Sequence, residues 1–396
     1  MPNKNAFVFC NIYILLWLLY AMQSIFLGGT GGPVSTLILF VLIGISLYHF
    51  IYAFLNYKMP VYMKCLALLV LMFTVYGVIL IISGETITFM RSGHRVNNYN
   101  YIKKIYASLL PIYSFYVFTR KGVLTKELLL KWSFVFFITA GMQFIQGQRR
   151  AVLETMDEDV EITNNYAYLF LSMIPLLVFW SKNKFVQYTG LIITLVFIIL
   201  GMKRGAILTG ALAVAMFMYR TIKTATRKQK IWVLVLSMIL IVAGYFTVRY
   251  MLVSSGYFNY RIEKTLEGNS SGRNDLYGFY WNHFINETNT LRFLFGNGAN
   301  ATLKFSWNYA HNDWLEIATN QGLLGLVVFI IYWVGFYRTW KSSSFDDEVY
   351  LAMGLSLLIL FVKTWFSMSY GAMSLYATIC VGYCVGMVSE HWKRAL

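Results

Sequence analysis

Charged side chains are scarce in this 396-residue chain: they make up 13% of it, whereas 58% of the residues are hydrophobic. The mean hydropathy is +0.58. A soluble domain needs more charge than this to cover its surface, so the composition excludes an ordinary soluble protein and predicts a polytopic membrane protein. At about 20 residues per transmembrane helix, the chain has room for roughly ten to thirteen such helices.

Negative charge is scarcer still, because 17 acidic residues face 33 basic ones and leave a formal net charge of +16. In a soluble protein this excess would suggest a nucleic-acid partner. In a membrane protein, Lys and Arg accumulate in the cytoplasmic loops, and they also gather where an anionic lipid or phosphate binds. We therefore predict contact with membrane lipid and no nucleic-acid partner.

Cysteine is rare and isolated from other metal ligands. Cys10, Cys65, Cys380 and Cys384 fall inside apolar runs, and no histidine or carboxylate accompanies Cys380 and Cys384 within theirs. This pattern is typical of buried thiols, so it excludes a disulfide framework and a cysteine-based metal site.

One dense acidic run could hold a metal ion by other means. Asp157 and Asp159 form an Asp-x-Asp pair, which is a ligand set that divalent cations use. Glu154 and Glu161 flank the pair, and the whole run is better explained as a solvated acidic loop. A metal ion at Asp157 and Asp159 stays the less favoured alternative, and we assign no metal and no cofactor.

Long apolar runs predict an all-α chain of about twelve transmembrane helices. The tight spacing of these runs, with no repeat or proline-rich linker, predicts a single membrane domain over residues 1–396. The predicted helices cover residues 6–27, 33–55, 60–83, 101–118, 128–146, 165–181, 185–200, 206–219, 231–253, 313–337, 348–367 and 371–389.

Basic residues fall on alternate connections and on both termini, so the positive-inside rule places both termini in the cytoplasm. The longer loops then lie on the periplasmic side, where the active site is expected. The largest is 254–312, in which Leu276, Tyr280 and Phe284 recur at helical spacing. This spacing predicts short amphipathic helices within a large periplasmic loop.

A histidine stands where this loop meets the next apolar helix. Asp313 and Glu316 have the spacing of a helix N-cap and its partner, which places His311 just outside a helix N-terminus that favours an anion. Gly322 follows eleven residues after His311, about 16 Å along a continuous helix. With Gly325 it predicts a notch where a second helix approaches closely.

Two cationic elements lie on the same predicted side. Lys203 and Arg204 join two short apolar runs, and a run of sixteen residues spans about 24 Å against a ~30 Å hydrocarbon core. The turn is therefore expected at headgroup depth, where cations are costly unless an anion compensates them. Arg273 opens the loop helix, and its fork suits a phosphate. Snorkelling cations on a basic rim are the alternative.

Four segments, in this order, resemble the O-antigen ligase and O-antigen polymerase superfamily. His311-Asn312 followed by Gly322 and Gly325 is similar to its histidine motif. The other three segments are Lys203-Arg204-Gly205-Ala206, Gly272-Arg273 with Leu276 and Tyr277, and Gly296-Asn297-Gly298.

The resemblance implies a GT-C-like membrane glycosyltransferase in the bacterial inner membrane, with its active site in the periplasm. Its donor would be a glycan on undecaprenyl diphosphate, used without a nucleotide sugar or a required metal. Arg204 and Arg273, with Lys203 beside them, would bind the diphosphate. His311 would act at the acceptor hydroxyl or hold the reacting groups, with Asn312, Gly322 and Gly325 in support.

The acceptor stays open at this point. A polymerase transfers to another lipid-linked glycan, whereas a ligase transfers to lipid A–core; the Lys-Arg-Gly-Ala form of the second segment favours polymerase, for which a chain-length regulator is a further candidate partner. A lipid-linked glycan transporter or flippase is the rival class. The apolar runs are nearly free of charge, with Lys363 the main exception, and no inverted repeat is visible, which disfavours transport.

Overall fold

A computed structural model describes most of the chain. The described residues are 4–27, 31–89, 94–154, 164–224, 226–254, 272–306, 308–367 and 373–395, together with 256, 263 and 370. The acidic pair Asp157 and Asp159 lies outside them.

The described chain is mostly helical, as predicted, and each of the twelve predicted runs contains a helix. In chain order the helices are α1 (Lys4–Ala21), α2 (Gln23–Phe26), α3 (Pro33–Asn56), α4 (Val61–Ser83), α5 (Tyr99–Leu109), α6 (Pro111–Arg120), α7 (Lys126–Glu154), α8 (Ala167–Leu177), α9 (Lys184–Leu200), α10 (Arg204–Thr224), α11 (Arg227–Ser254), α12 (Arg273–Ile285), α13 (Thr290–Phe295), α14 (Thr302–Phe305), α15 (Asp313–Lys341), α16 (Asp347–Lys363) and α17 (Leu375–Ala395), with a 3-10 turn at Val178–Trp180.

Two local features differ from the sequence prediction. The single helix expected over 101–118 is divided into α5 and α6 at Pro111, because proline has no N–H to continue the helical ladder. A small hairpin of β1 (Ile87–Phe89) and β2 (His94–Val96) was not predicted; its antiparallel strands pair Ile87 with Val96 and Phe89 with His94.

Six of the described helices are long and apolar enough to cross a membrane, namely α1, α3, α4, α7, α10 and α15. Large apolar side chains on their outer faces are exposed, with Leu37, Leu55 and Ile82 at 65%, 78% and 80%. This is the surface that lipid would cover. Twelve spans, the single domain and the periplasmic side of the large loop stay predictions; the described part of that loop carries α12, α13 and α14.

The helices pack through buried tyrosines and close glycine contacts. Along α4 and α15, the Tyr62 and Tyr332 hydroxyls lie 3.2 Å apart, and the Tyr62 N–H donates to Thr339 Oγ1 at 3.0 Å. A Cβ on Gly335 would lie 2.6 Å from Cys65 Sγ. Helix α4 therefore approaches α15 closely at Gly335, near the opposite end of α15 from His311.

Helix α15 itself is broken at Gly322, where φ is 69° and ψ is −161°. The prediction of a continuous helix from His311 to Gly325 is wrong at this residue. Gly322 lies against the end of α13 and the turn that follows it, since an added Cβ would lie 2.6 Å from Leu294 O and 2.5 Å from Gly296 N. A Cβ on Gly325 would meet Gln321 of the preceding half-helix.

Three carbonyls freed by the break find partners outside the helix. Asn297 N–H donates to Thr319 O and Gly298 N–H donates to Asn320 O, both at 3.0 Å. The Tyr76 hydroxyl lies 3.4 Å from the carbonyl oxygen of the next residue, Gln321. The glycine turn before His311 thus docks on the break, and it fixes the first half of α15 against the loop.

Candidate functional site

His311 lies in a short segment that leads into α15, and its φ of 52° is in the left-handed region. The helix cap is Asn312 and not Asp313 as the sequence pattern predicted. Asn312 is extended, and its Oδ1 accepts from Trp314 N–H at 2.9 Å and Leu315 N–H at 3.2 Å. Asp313 is already the first helical residue, and its N–H donates to Thr364 O at 2.8 Å.

A buried carboxylate anchors the segment that carries His311. Glu316 is fully buried, and its Oε1 accepts from Ala310 N–H at 2.6 Å. Its Oε2 accepts from Thr302 Oγ1 at 2.8 Å and from Asn320 Nδ2 at 3.2 Å. The capping pattern predicted that Glu316 accepts from the N–H of the cap residue. It accepts instead from the N–H of Ala310, the residue immediately before His311. A buried carboxylate needs such donors, and they hold the loop in place.

Within the described part of the chain, Asn308 Nδ2 lies 3.1 Å from Nε2 of the His311 imidazole. Asn308 Oδ1 accepts from Tyr309 N–H at 2.9 Å, which orients the amide nitrogen toward the ring. Burial lowers the pKa of His311, and the nearby cations of Arg273 and Lys203 lower it further. Because the pKa is lowered, the ring is neutral at neutral pH. Because the Asn308 amide donates to Nε2, the proton of the neutral ring is on Nδ1.

One cavity of about 560 Å³ brings the predicted elements together. Lys203, Arg273 and His311 all line it, although they are far apart in sequence. Arg204, the first residue of α10, follows Lys203 directly but is not among the residues that line this cavity.

Lys363 is a further cation on the cavity wall, which sequence reasoning noted only as an exception within an apolar run. It is the last residue of α16, and its ammonium lies 5.2 Å from the centre of the Tyr168 ring. The sequence signal for this role was a lone lysine in an otherwise uncharged run, because a charged residue within a membrane helix almost always faces a polar cavity or the interior of the bundle.

The segment that follows Lys363 contacts all three predicted elements, which are the start of α10, the start of α12 and the His311 segment. This role was not predicted from the sequence. Arg273 Nη1 donates to Phe366 O at 3.2 Å, and the Tyr277 hydroxyl donates to Trp365 O at 3.1 Å. Asn312 Nδ2 also donates to Trp365 O, at 3.2 Å. These carbonyls lie past the helical ladder of α16, so they can accept from other elements.

Gly205 has a steric role at the same place. A Cβ on Gly205 would meet the Phe366 ring and would lie 3.0 Å from the Tyr168 hydroxyl. Glycine therefore lets the first turn of α10 approach the segment after α16, which places Lys203 beside the cavity.

Several other cations and histidines of the described chain lie away from this cavity. Arg95 lines a separate open cavity with Glu85, and Lys304 Nζ pairs with Glu85 Oε2 at 2.7 Å. His283 packs against Phe305, with ring centres 4.1 Å apart. The remaining histidines are placed elsewhere: His49 Nδ1 lies 3.1 Å from Ser114 Oγ, His391 stacks on Phe345, and His94 pairs in β2.

Residues 189–330 match the family model Wzy_C, which is described as O-Antigen ligase. The resemblance to the O-antigen ligase and polymerase superfamily is confirmed. No curated protein matches the chain. The members of the Wzy_C family are glycosyltransferase-like enzymes. The match contains Lys203, Arg204, Arg273 and His311, and it ends before Lys363.

Proposed function

We propose that the protein transfers a glycan from undecaprenyl diphosphate to a sugar hydroxyl on the periplasmic side of the inner membrane. The observation that carries this proposal is the single cavity lined by His311 and by the three cations Lys203, Arg273 and Lys363. A cavity with this charge suits a diphosphate, and a histidine that stays neutral beside cations can take a proton.

The proposed chemistry is a displacement at the anomeric carbon of the donor sugar. The acceptor oxygen forms the new bond to this carbon while the bond to the diphosphate oxygen breaks, and undecaprenyl diphosphate leaves. Cations stabilise the negative charge that develops on the leaving group, so neither a protonated acid nor a metal is required by this scheme. We assign that role to Lys203, Arg273 and Lys363 on the wall, and to Arg204, the residue next to Lys203 in the chain. In-line attack would invert the anomeric configuration.

His311 Nε2 would accept the acceptor's proton in this scheme. Because Asn308 donates to the same nitrogen at 3.1 Å, the acceptor hydroxyl would replace the Asn308 amide as its donor. Before the acceptor binds, the donated Asn308 N–H requires Nε2 to be unprotonated, and so it favours the tautomer in which Nε2 is the base.

The direct test uses purified full-length protein, a polyprenyl-diphosphate-linked oligosaccharide as donor and a second such molecule as acceptor. We expect a lengthened glycan with an inverted new linkage, and loss of product with His311→Ala. Transport without any transfer would favour the flippase alternative and overturn the proposal. A product with retained configuration would overturn the in-line attack.

Polymerase and ligase share the donor half of this reaction, and the form of residues 203–206 is the reason to favour polymerase. Disruption of the gene for a polymerase should leave lipopolysaccharide or capsule with single repeat units. Disruption of the gene for a ligase should leave full-length glycan on the lipid carrier, with no transfer to lipid A–core. A chain-length regulator is a proposed partner in the polymerase case.

A further inference from the structure

A second cavity of about 240 Å³ lies beside the first, across the segment that carries His311. Tyr309 lines the second cavity and His311 lines the first, and no described residue lines both. Two residues of chain span at most about 7 Å. The two cavities therefore approach each other at this segment, and only the first has the cationic wall.

The wall of this second cavity differs in character from the first. Its polar groups include the amides of Asn100 and Asn300 and the hydroxyl-bearing rings of Tyr101 and Tyr309. Its charges are balanced, with one carboxylate from Glu316 and one ammonium from Lys104 at the exposed rim. A diphosphate is expected to bind the first cavity, which has three cations, more tightly than this second cavity, which has no net positive charge. Amides and aromatic rings instead match the hydroxyls and apolar faces of a neutral sugar.

The volume limits the size of the ligand. Pockets for drug-sized molecules run to about 300–1,000 Å³, so 240 Å³ fits one sugar ring better than an oligosaccharide. The wall is also well fixed. Asn320 Oδ1 accepts from Thr302 N–H at 3.0 Å, and Glu316 is held by the three hydrogen bonds that anchor the His311 segment.

We propose that this second cavity, formed between α5 and the first half of α15, binds one sugar ring of the acceptor glycan. The ring so held is a neighbour of the reacting sugar, whose hydroxyl reaches His311 in the first cavity. The proposal rests on the proposed function, and it gives donor and acceptor separate sites on the two faces of one loop.

The test fills the cavity from α5. Asn100→Phe puts a large ring into the space for the sugar, and Asn100→Ala removes only the amide. In the transfer assay with purified protein, we expect Asn100→Ala to raise the KM for acceptor by about five- to tenfold. Asn100→Phe should raise it further. The KM for donor should stay within twofold of the wild-type value for both variants.

A charge-matched pair on the same helix tests the rim. Lys104→Ala removes a lining residue, whereas Lys103→Ala removes the neighbouring lysine, which does not line the cavity. Only Lys104→Ala should raise the KM for acceptor. Equal changes in the two variants, or a parallel rise in the KM for donor, would overturn the assignment to the acceptor.

Direct binding separates this proposal from the proposed function. Saturation-transfer NMR with a panel of methyl hexosides and methyl N-acetylhexosaminides needs no turnover, and it can be run on wild-type protein and on His311→Ala. We expect at least one glycoside to bind both wild-type protein and His311→Ala. This binding should be lost in Asn100→Phe, provided that the gel-filtration profile of the variant is unchanged. No glycoside binding, or binding that survives Asn100→Phe or is displaced by inorganic pyrophosphate, would overturn the proposal. Absence of transfer by wild-type protein would instead overturn the proposed function.

Discussion

Arg273 combines a charge with a planar fork, and its position uses both. It lines the cationic cavity while Nη1 donates to Phe366 O at 3.2 Å, so a lysine there would keep the charge but lose the geometry. A hydrogen bond to a charged group contributes about 1.5–3 kcal/mol, so Arg273→Lys should lose about ten- to a hundredfold in kcat/KM. Arg292→Lys, on α13 outside this cavity, is the matched control. Full activity of Arg273→Lys in the transfer assay would exclude a bidentate role.

Lys363 should matter for catalysis although it lies outside the stretch that matches the family model. Lys363→Met keeps the length of the side chain and removes its charge, so the leaving diphosphate loses one of three wall cations. We expect a fall in kcat/KM of about tenfold or more, from the same charge-assisted hydrogen-bond energies. Lys103→Met serves as control for loss of a lysine. Wild-type kinetics of Lys363→Met would show that this ammonium has a structural role beside Tyr168.

The pH profile of transfer should report the protonation of His311. Below its pKa the ring is protonated and cannot accept a proton, so activity should fall on the acid side. Because burial, Arg273 and Lys203 all lower this pKa, the fall should come below the usual value of 6.5. Asn308→Asp places a carboxylate 3.1 Å from Nε2 in place of the amide. This should raise the pKa and move the acid limb upward by about one pH unit or more.

The neutral variant Asn308→Ala separates that charge effect from the loss of the amide. It should reduce activity without moving the acid limb upward, because no new negative charge is introduced. An acid limb that is unchanged in Asn308→Asp would mean that His311 is not the titrating group.

At the scale of the element, the break in α15 depends on Gly322. Its φ of 69° is strained for any residue with a Cβ, and that Cβ would lie 2.6 Å from Leu294 O. Gly322→Ala should therefore destabilise the protein by about 1–3 kcal/mol or more. Gly278→Ala is the matched control, since Gly278 lies in α12 with open space around its Cα, where alanine favours the helix. Thermal unfolding of the detergent-solubilised protein measures both.

A melting temperature of Gly322→Ala equal to that of wild type would show that α15 can be continuous in solution. If the break holds the site, activity should fall with stability in Gly322→Ala. Gly278→Ala should keep both.

The sequence predicted the helices well and their interruptions poorly, for a physical reason. Apolar runs report burial or lipid contact, and each predicted run contains a helix. A glycine within such a run equally suits a close helix contact, as at Gly335, and a break, as at Gly322. Which of the two occurs depends on the segment that packs against the glycine. Here the partner is the glycine turn around Gly296, which donates to carbonyls that no local pattern marks as free.

The candidate site shows the same division. Lys203, Arg273 and His311 were predicted because their residue types carry the chemistry, and they line one cavity. The segment after α16 that receives hydrogen bonds from Arg273 and Asn312 was missed. Its contribution is made by backbone carbonyl groups, which every residue has. Sequence patterns therefore identify reacting side chains more readily than the backbone that positions them.

At the scale of the whole molecule, α16 relates the site to the opposite end of the bundle. Lys363 at its C-terminus lines the cavity, and Asp347 at its N-terminus pairs with Arg220 Nη2 at 3.4 Å near the end of α10. The two ends of α16 are separated by seventeen residues of helix, about 25 Å at 1.5 Å per residue. The site and this ion pair therefore lie at opposite ends of both helices.

The side of the membrane on which the site lies can be tested with cysteine variants in spheroplasts. Gly278 on α12 is exposed near the His311 segment, and Lys341 is exposed at the far end of α15. Three of the four native cysteines are buried, so a background with Cys65→Ser should label weakly. We expect a membrane-impermeant maleimide to label Gly278→Cys in sealed spheroplasts. Lys341→Cys should be labelled only after permeabilisation.

The reverse labelling pattern would change the assignment of function, and not only the topology. A site on the cytoplasmic face would meet lipid-linked glycans before they cross the membrane, so the acceptor could be neither a periplasmic chain nor lipid A–core. Labelling of both variants before permeabilisation would place both ends of α15 on the outer side and contradict its crossing. Labelling of Gly278→Cys alone would leave the cations, His311 and the proposed acceptor cavity on the face where a finished repeat unit is available.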